Sequence, residues 1–275
     1  MPELPEVELV VRSLRKVIVG RRILAAELLY KRLAPGHTPK NFAKLLRDSE
    51  IHSVGRRGKF ILFNFGAGHT LVTHLRMSGR FLLLKPDHEA PKHTNAVFYF
   101  DDETRLIFND QRHFGLMQIK KGKKLDELFC GLAPEPFGDE FTPEYLYGAM
   151  QTSRRAIKEF LLDQTKVCGL GNIYASEALF ISKISPKTPA NKISQKRVVP
   201  LHAAIQQVLQ ESIDHGSTLK VDPNNIEDSY YGGDYEGHWR VYDQEGEPCQ
   251  RCGTPVKRIV QGARSTYYCP RCQRH

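Results

Sequence analysis

The 275-residue chain has no apolar run of the length a membrane helix needs, which excludes a helical membrane protein. Its N-terminus is acidic and lacks the apolar core of a secretory signal, so a cytoplasmic protein is expected. Cysteine is scarce through most of the chain. Cys130 and Cys168 stand alone, and the other four of six fall in the last 27 residues. That distribution argues against a disulfide framework and for a metal site in a reducing compartment. Acidic residues are also in deficit, 31 against 40 Lys and Arg, for a formal charge of +9. Such a balance suits a polyanionic partner without proving one. What remains is a soluble, globular composition, 40% apolar and 26% charged, long enough for two domains and a sizeable core.

The first eight residues, Met1-Pro2-Glu3-Leu4-Pro5-Glu6-Val7-Glu8, organise the rest. Methionine is usually trimmed ahead of a small residue, which would leave Pro2 as a free secondary amine. Such an amine attacks a sugar C1′ and collapses to an iminium without any lysine. An α-amino group titrates near pH 8, so a useful fraction is unprotonated at about neutral pH. Glu3 lies beside it and could move protons. The plain alternative is that acidic residues simply favour a helix start. Val7, Val10, Val11, Leu14, Val17 and Ile18 recur at helical spacing. Pro5 fits the first helical position, Glu6 and Glu8 suit the positive end, and Gly20 can stop the helix.

From Ile23 to Ile119 the pattern turns to short strands: Ile23–Leu29, Phe60–Phe65, Thr70–Leu75, Phe81–Leu84, Ala96–Phe100, Arg105–Asn109 and Leu116–Lys120. Gly66-Ala67-Gly68, Gly79 and Asp101-Asp102-Glu103 supply turns. A β-sandwich or barrel is expected, with one short helix over Phe42–Leu46. Three loops hold residues such a core does not need. Arg56-Arg57-Gly58-Lys59 reads as a basic turn entering a strand, or an ordinary solvated hairpin. Met77 lies in the glycine turn His74–Gly79, as core filler or as a reaching tip. Asp110–Gly115 places Arg112 two residues before Phe114, an aromatic that is either core or a wedge between base steps.

Gly131–Gly138 is a composition break and reads as an interdomain linker. Helical periodicity follows. Thr142 can cap a helix with Pro143 first, and Ser153 a second through Ala156, Ile157, Phe160 and Leu161. Gly169-Leu170-Gly171-Asn172 opens a third through Ile173–Ile181. Ser194 can cap a fourth that Gly216 stops. The Gly-Leu-Gly-Asn turn suits a phosphate, because glycines let the backbone approach a helix N-terminus; a tight helix–helix turn is the alternative. Arg154, Arg155 and Lys158 add positive charge nearby, although such a run is usually a solvated face. The strongest single signal comes last. Cys249-x2-Cys252, 16 residues, then Cys269-x2-Cys272 matches one structural zinc with four thiolates, leaving no open position for catalysis. Lys257, Arg258 and Arg264, with Tyr267 and Tyr268, would form a basic hairpin beside it.

Taken together these stretches resemble the formamidopyrimidine-DNA glycosylase family over essentially the whole chain. The residues that carry the resemblance are Met1–Glu8, Arg56–Lys59, His74–Gly79, Asp110–Gly115, Asp163–Tyr174 and the finger ending Cys-Pro-Arg-Cys-Gln. It implies a multidomain α+β fold: a catalytic β-sandwich with a flanking helix (1–130), a linker (131–140), a helix–two-turns–helix module (141–223) and a zinc finger (241–275). It implies a monomeric bacterial base-excision-repair enzyme that acts on damaged double-stranded DNA. Such an enzyme removes 8-oxoguanine and formamidopyrimidines and nicks the abasic strand by β,δ-elimination, with no redox cofactor. Carried over by position, Pro2 is the Schiff-base nucleophile, Glu3 the proton donor, and Glu6 a support. Lys59 contacts DNA and donates a proton in β-elimination, and Arg264 contacts the flanking phosphate and serves δ-elimination. Met77, Arg112 and Phe114 fill the gap left by a flipped nucleotide, with Arg112 reading the opposite cytosine. His93, Arg154 and Asn172 hold the backbone.

Three places depart from the family pattern. His113 stands where Arg or Lys is usual, Asn95 replaces the second His of a usual Lys-His-Asp-His, and Ser217–Pro223 is off pattern in the region leading to the lesion-closing loop. An endonuclease VIII-like enzyme, with oxidised pyrimidines as substrate, shares the nucleophile. A non-catalytic zinc-finger DNA-binding protein would explain the charge but not Pro2 and Glu3.

Overall fold

The computed structural model describes residues 1–66, 68–216 and 239–274. Ala67 in the expected glycine turn, the stretch 217–223 and the end of the expected helical module therefore lie outside the described residues. Two compact units are present, one containing Met1–Cys130 and the other Gly131–His215 with the C-terminal segment.

The first unit runs α1 (Leu4–Ile18), β1 (Arg22–Leu28), α2 (Pro39–Leu46), β2 (Ser49–Arg57), β3 (Phe60–Phe65), β4 (His69–His74), β5 (Arg80–Leu84), β6 (Thr94–Phe100), β7 (Arg105–Asn109), β8 (Leu116–Lys121) and α3 (Lys123–Phe129). The strands pair antiparallel in the order β5-β7-β6-β1-β2-β3-β4-β8. The pairing of β1 with β2 is confined to Arg22 with Glu50 and Ile23 with Ser49. The sheet therefore divides there into two four-stranded layers. Phe63 of β3 meets Phe81 of β5 at 5.3 Å, and Phe81 meets Phe108 of β7 at 5.1 Å, so the layers face each other across an aromatic core. This is the expected β-sandwich.

Helix α1 buries Val7, Val10, Val11 and Leu14 completely, the face its periodicity sets aside. Each such side chain is worth about 1.5–3 kcal/mol of apolar transfer. The helix runs antiparallel to β2. Gly20 N–H donates to the Ile51 carbonyl, Arg15 Nε donates to the Val54 carbonyl, and Arg56 Nε reaches Glu8 at 3.0 Å. The start of α1 therefore comes out at the end of β2 that turns through Gly58 and Lys59.

Two expectations about local structure need correction, and one helix lies outside the expected elements. Arg56 and Arg57 are not turn residues: they end the nine-residue strand β2, and only Gly58 and Lys59 make the hairpin turn. Helix α1 begins at Leu4, which puts Pro5 second. Helix α3 has no counterpart among the expected elements.

The second unit holds α4 (Pro143–Gln151), α5 (Ile157–Leu161), α6 (Asn172–Ile181), α7 (Gln195–Asp214) and a hairpin of β9 (Lys257–Gln261) and β10 (Arg264–Tyr268). Thr142 caps α4 as expected, its Oγ1 accepting the Tyr145 N–H at 3.1 Å. Ser153 does not cap α5. Ala156 forms an antiparallel bridge with Pro189, so the helix waits until Ile157 and takes Ala156 as its cap. Ser194 sits at the N-cap of α7, but its side chain makes no capping bond. The C-terminal segment is tied to α6 by Glu177, whose buried carboxylate accepts the N–H groups of Arg240, Val241 and Tyr242 at 2.9–3.0 Å. Among the described residues no helix is long and apolar enough to cross a membrane.

Candidate catalytic terminus, insertion loops and metal centre

Pro2, Glu3 and Glu6 are buried at the N-terminal end of α1. Glu3 is the N-cap residue, and its N–H donates to Glu6 Oε2 at 2.8 Å within a reciprocal capping box. The two carboxylates thus sit where the helix dipole favours negative charge. The helix-start reading of Glu3 is thus present in the structure as a capping box. One turn on, burial alone would raise the Glu8 carboxyl, but hydrogen bonds and charge from Arg56 and Arg12 outweigh it and hold it below the usual carboxylate range.

Lys59 follows Gly58, whose φ of +56° is the left-handed conformation that favours glycine in a two-residue hairpin. Lys59 is itself buried. Phe60 pairs with His74 across β3 and β4, and their rings meet edge-on at 4.8 Å. Burial, then the charges of Arg76 and Lys59, push the His74 imidazole down to about 3. It is neutral at any physiological pH, and its Nδ1 accepts the Arg76 N–H at 2.9 Å. The loop carrying Met77 starts from that bond.

Met77 and Phe114 are 39% and 54% exposed, so neither is core filler, the plainer reading of both. Arg112 is exposed and lies over the Phe114 ring at 5.0 Å. His93, at φ +68°, places its ring 5.8 Å from that of His113, which also lies 4.4 Å from Tyr30. Asn95, the other departure, is buried and donates to the Asp110 carbonyl at 3.4 Å.

In the second unit Gly171 caps α6, as the Gly-Leu-Gly-Asn turn implies. Asn172 Nδ2 donates to the Ser265 carbonyl at 3.0 Å, which ties the turn to the residue after Arg264. Arg264 is exposed at the tip of the β9–β10 hairpin, whose turn residues Gly262 and Ala263 have φ of +53° and +60°. Arg154 is exposed, and Arg155 pairs with Asp163 at 2.6 Å.

Lys158 fits neither reading of the basic run, as charge offered to a phosphate or as a solvated face. It is 1% exposed, and its Nζ donates to Asn172 Oδ1, the Ser265 carbonyl and Thr266 Oγ1 at 2.7–2.9 Å. All three ammonium protons are used to join the glycine turn to the hairpin. The apolar spacing of Ile157, Phe160 and Leu161 is the available signal, because Lys158 follows a buried residue in a helix only five residues long.

The four tail cysteines bring their Sγ atoms within 4.8 Å of one another. Cys249 and Cys272 lie 3.9 Å apart and Cys252 and Cys269 3.5 Å. A tetrahedral zinc with bonds of about 2.3 Å needs sulfurs about 3.8 Å apart, so the cluster fits. It packs with Val241, Val256 and Tyr267 onto Phe180 of α6. The four sulfurs fill a tetrahedral ion's coordination, which makes the zinc structural.

A β-sandwich, a helical module and a four-cysteine finger together define a modular zinc-finger protein. Residues 1–117 match the model of the formamidopyrimidine-DNA glycosylase N-terminal domain, and residues 132–222 that of its H2TH domain. Residues 246–274 match the zinc finger found in FPG and IleRS. A formamidopyrimidine-DNA glycosylase of Chloroflexus aurantiacus is 43% identical, covering 99% of this chain and 98% of its own. One of Bacillus subtilis is 40% identical with 99% of each chain covered. A point mutant of the Lactococcus lactis FPG solved with DNA containing Fapy-dG superposes with a TM-score of 0.92 at 33% identity over 100% of both chains. MutM in complex with DNA containing carbocyclic 8-oxo-G gives 0.91 at 34%, again over 100% of both. The chain belongs to the formamidopyrimidine-DNA glycosylase family.

Proposed function

We propose that this glycosylase removes 8-oxoguanine and formamidopyrimidines from duplex DNA and then cuts the abasic strand, using Pro2 as the nucleophile. The observation that supports the reading is the buried capping box of Glu3 and Glu6 at the start of α1, directly after a buried Pro2 and at the Lys59 end of β2. Relatives solved with Fapy-dG and 8-oxo-G analogue DNA support the substrate class.

The target nucleotide must first leave the stack, at a cost of a few kcal/mol. Met77, Arg112 and Phe114 fill the emptied space. His93, Arg154 and Asn172 hold the backbone. The Pro2 nitrogen then bonds to C1′ as the glycosidic bond breaks, and Glu3 supplies the proton taken up by the base or the opening sugar. The resulting iminium acidifies the C2′ proton. Loss of that proton expels the 3′ phosphate, with Lys59 as proton donor. A second elimination, assisted by Arg264, expels the 5′ phosphate. Every step is substitution, proton transfer or elimination. The zinc holds the hairpin that presents Arg264. The modules proposed to act are the sandwich of residues 1–130, the helical module of 141–223 after the linker of 131–140, and the finger of 241–275.

A panel of single-lesion duplexes tests the substrate class. Excision of 8-oxoguanine and formamidopyrimidine opposite cytosine is expected to outpace excision of oxidised pyrimidines. The reverse order would make this an endonuclease VIII-like enzyme.

A further inference from the structure

Two loops far apart in the chain rest on one ring and one carboxylate. Gly79 ends the Met77 loop and Gly115 ends the Arg112–Phe114 loop. A Cβ on either would lie 2.7 Å from the Phe108 ring, which is completely buried. Real Cβ atoms do not come that close to an aromatic carbon held in a core, so both positions require glycine. Phe108 is therefore a shared floor. Above it sits Asp110, also completely buried. Its Oδ2 accepts the Gly115 N–H at 2.7 Å, and its Oδ1 accepts the Arg112 N–H at 3.1 Å. The Ser78 hydroxyl donates to the same Oδ1, and Ser78 Oγ also faces the Arg112 N–H at 3.2 Å.

We propose that Asp110 and Ser78 are positioning residues that lock the two loops into a single insertion wedge, so that Met77 enters the duplex together with Arg112 and Phe114. The inference rests on the function proposed above. The reasoning is geometric. Loops joined only by their own chain ends would move separately, and each would meet the cost of opening the duplex alone. A carboxylate that accepts three donors from both loops removes that freedom before DNA is met, and inserting one preorganised body loses less entropy than inserting two loose ones. Neither Asp110 nor Ser78 needs to touch the nucleic acid. The lock is specific to an acceptor-only group. Asn at 110 has the same shape, but its NH2 would confront an N–H or O–H donor in one loop or the other.

The test separates wedge insertion from the chemistry that follows. Single-turnover excision of 8-oxoguanine opposite cytosine and opposite adenine is measured beside nicking of a single-stranded abasic oligonucleotide, which has no opposite strand and no gap to fill. Asp110→Asn is expected to slow duplex excision at least tenfold and to narrow the cytosine-over-adenine ratio, while single-strand nicking stays within about twofold of wild type. Ser78→Ala, a half-buried change that leaves the other bonds of Asp110 intact, is expected to give a smaller loss in the same direction. Ser78→Thr, which keeps the hydroxyl, is expected to restore the rate. Equal losses on duplex and single strand would make Asp110 a folding residue only and overturn the proposal. So would unchanged duplex rates in both Asp110→Asn and Ser78→Ala. No wild-type excision from either lesion duplex would instead refute the function on which the inference rests.

Discussion

The neutral histidine beneath the Met77 loop makes the stability of the sandwich depend on pH in a defined direction. In the fold His74 holds a proton only below about 3, because burial and then Arg76 and Lys59 oppose its charge. In the unfolded chain it takes a proton near its ordinary value of 6.5. Between those values the unfolded state binds more protons, so stability falls as pH falls. The contribution is fully present above about pH 6.5 and is lost toward pH 3. From pH 7 to pH 5 the loss from this one residue is about 2 kcal/mol. His74→Asn keeps an acceptor for the Arg76 N–H and cannot titrate. Its ring contact with Phe60 is lost, so it should be less stable than wild type at pH 7, but its pH dependence should be shallower by about 2 kcal/mol over that interval. Urea unfolding at the two pH values measures both. Parallel pH dependence in wild type and variant would mean that His74 takes up a proton as readily in the fold as in the unfolded chain, and that the Met77 loop is not hung from an imidazole held neutral at about pH 5.

Chelation, or Cys269→Ser, should release about one zinc per chain and abolish DNA binding, as metal analysis and a binding titration would report; full binding by metal-free protein would rule out the finger as a DNA-contacting element. Arg112→Ala should narrow the preference for 8-oxoguanine opposite cytosine over adenine by about 1–3 kcal/mol, since arginine can donate twice to cytosine and finds no equivalent pair on adenine. Phe114→Ala should slow both duplexes alike. An unchanged ratio for Arg112→Ala in single-turnover excision would reduce Arg112 to a backbone contact.

Much of the fold is legible in the residues because the physics is local. The α1 stripe and the runs Phe60–Phe65 and Arg105–Asn109 reach the structure with little change, since burial of one face writes its own period into the chain. Strand β2 escapes for a physical reason. Its pairing with β3 shifts register between Ile51 and Ser53, so its buried residues Ile51 and Val54 are three apart and break the two-residue alternation. Helix α3 is seven residues long and none of them is fully buried, so its half-buried Leu125, Leu128 and Phe129 make a stripe too short to read. At the site, spacing exposes the four cysteines and the glycine turn. It cannot show that Lys158 points inward, because its partners Asn172, Ser265 and Thr266 all come from other stretches of the chain. The role of Asp110 is hidden in the same way: its Asx bonds to Arg112 and Gly115 are local, but the Ser78 hydroxyl and the Phe108 ring arrive through the fold.

The identity of the nucleophile is the claim on which the rest depends. Mature protein, with Met1 removed as checked by mass spectrometry, is incubated with 8-oxoguanine duplex in the presence of borohydride, and the covalent adduct is mapped by peptide sequencing. Wild type should trap through the N-terminal proline, Lys59→Ala should still trap, and Pro2→Gly should trap poorly. An adduct on Lys59, with trapping lost in Lys59→Ala and intact in Pro2→Gly, would contradict it.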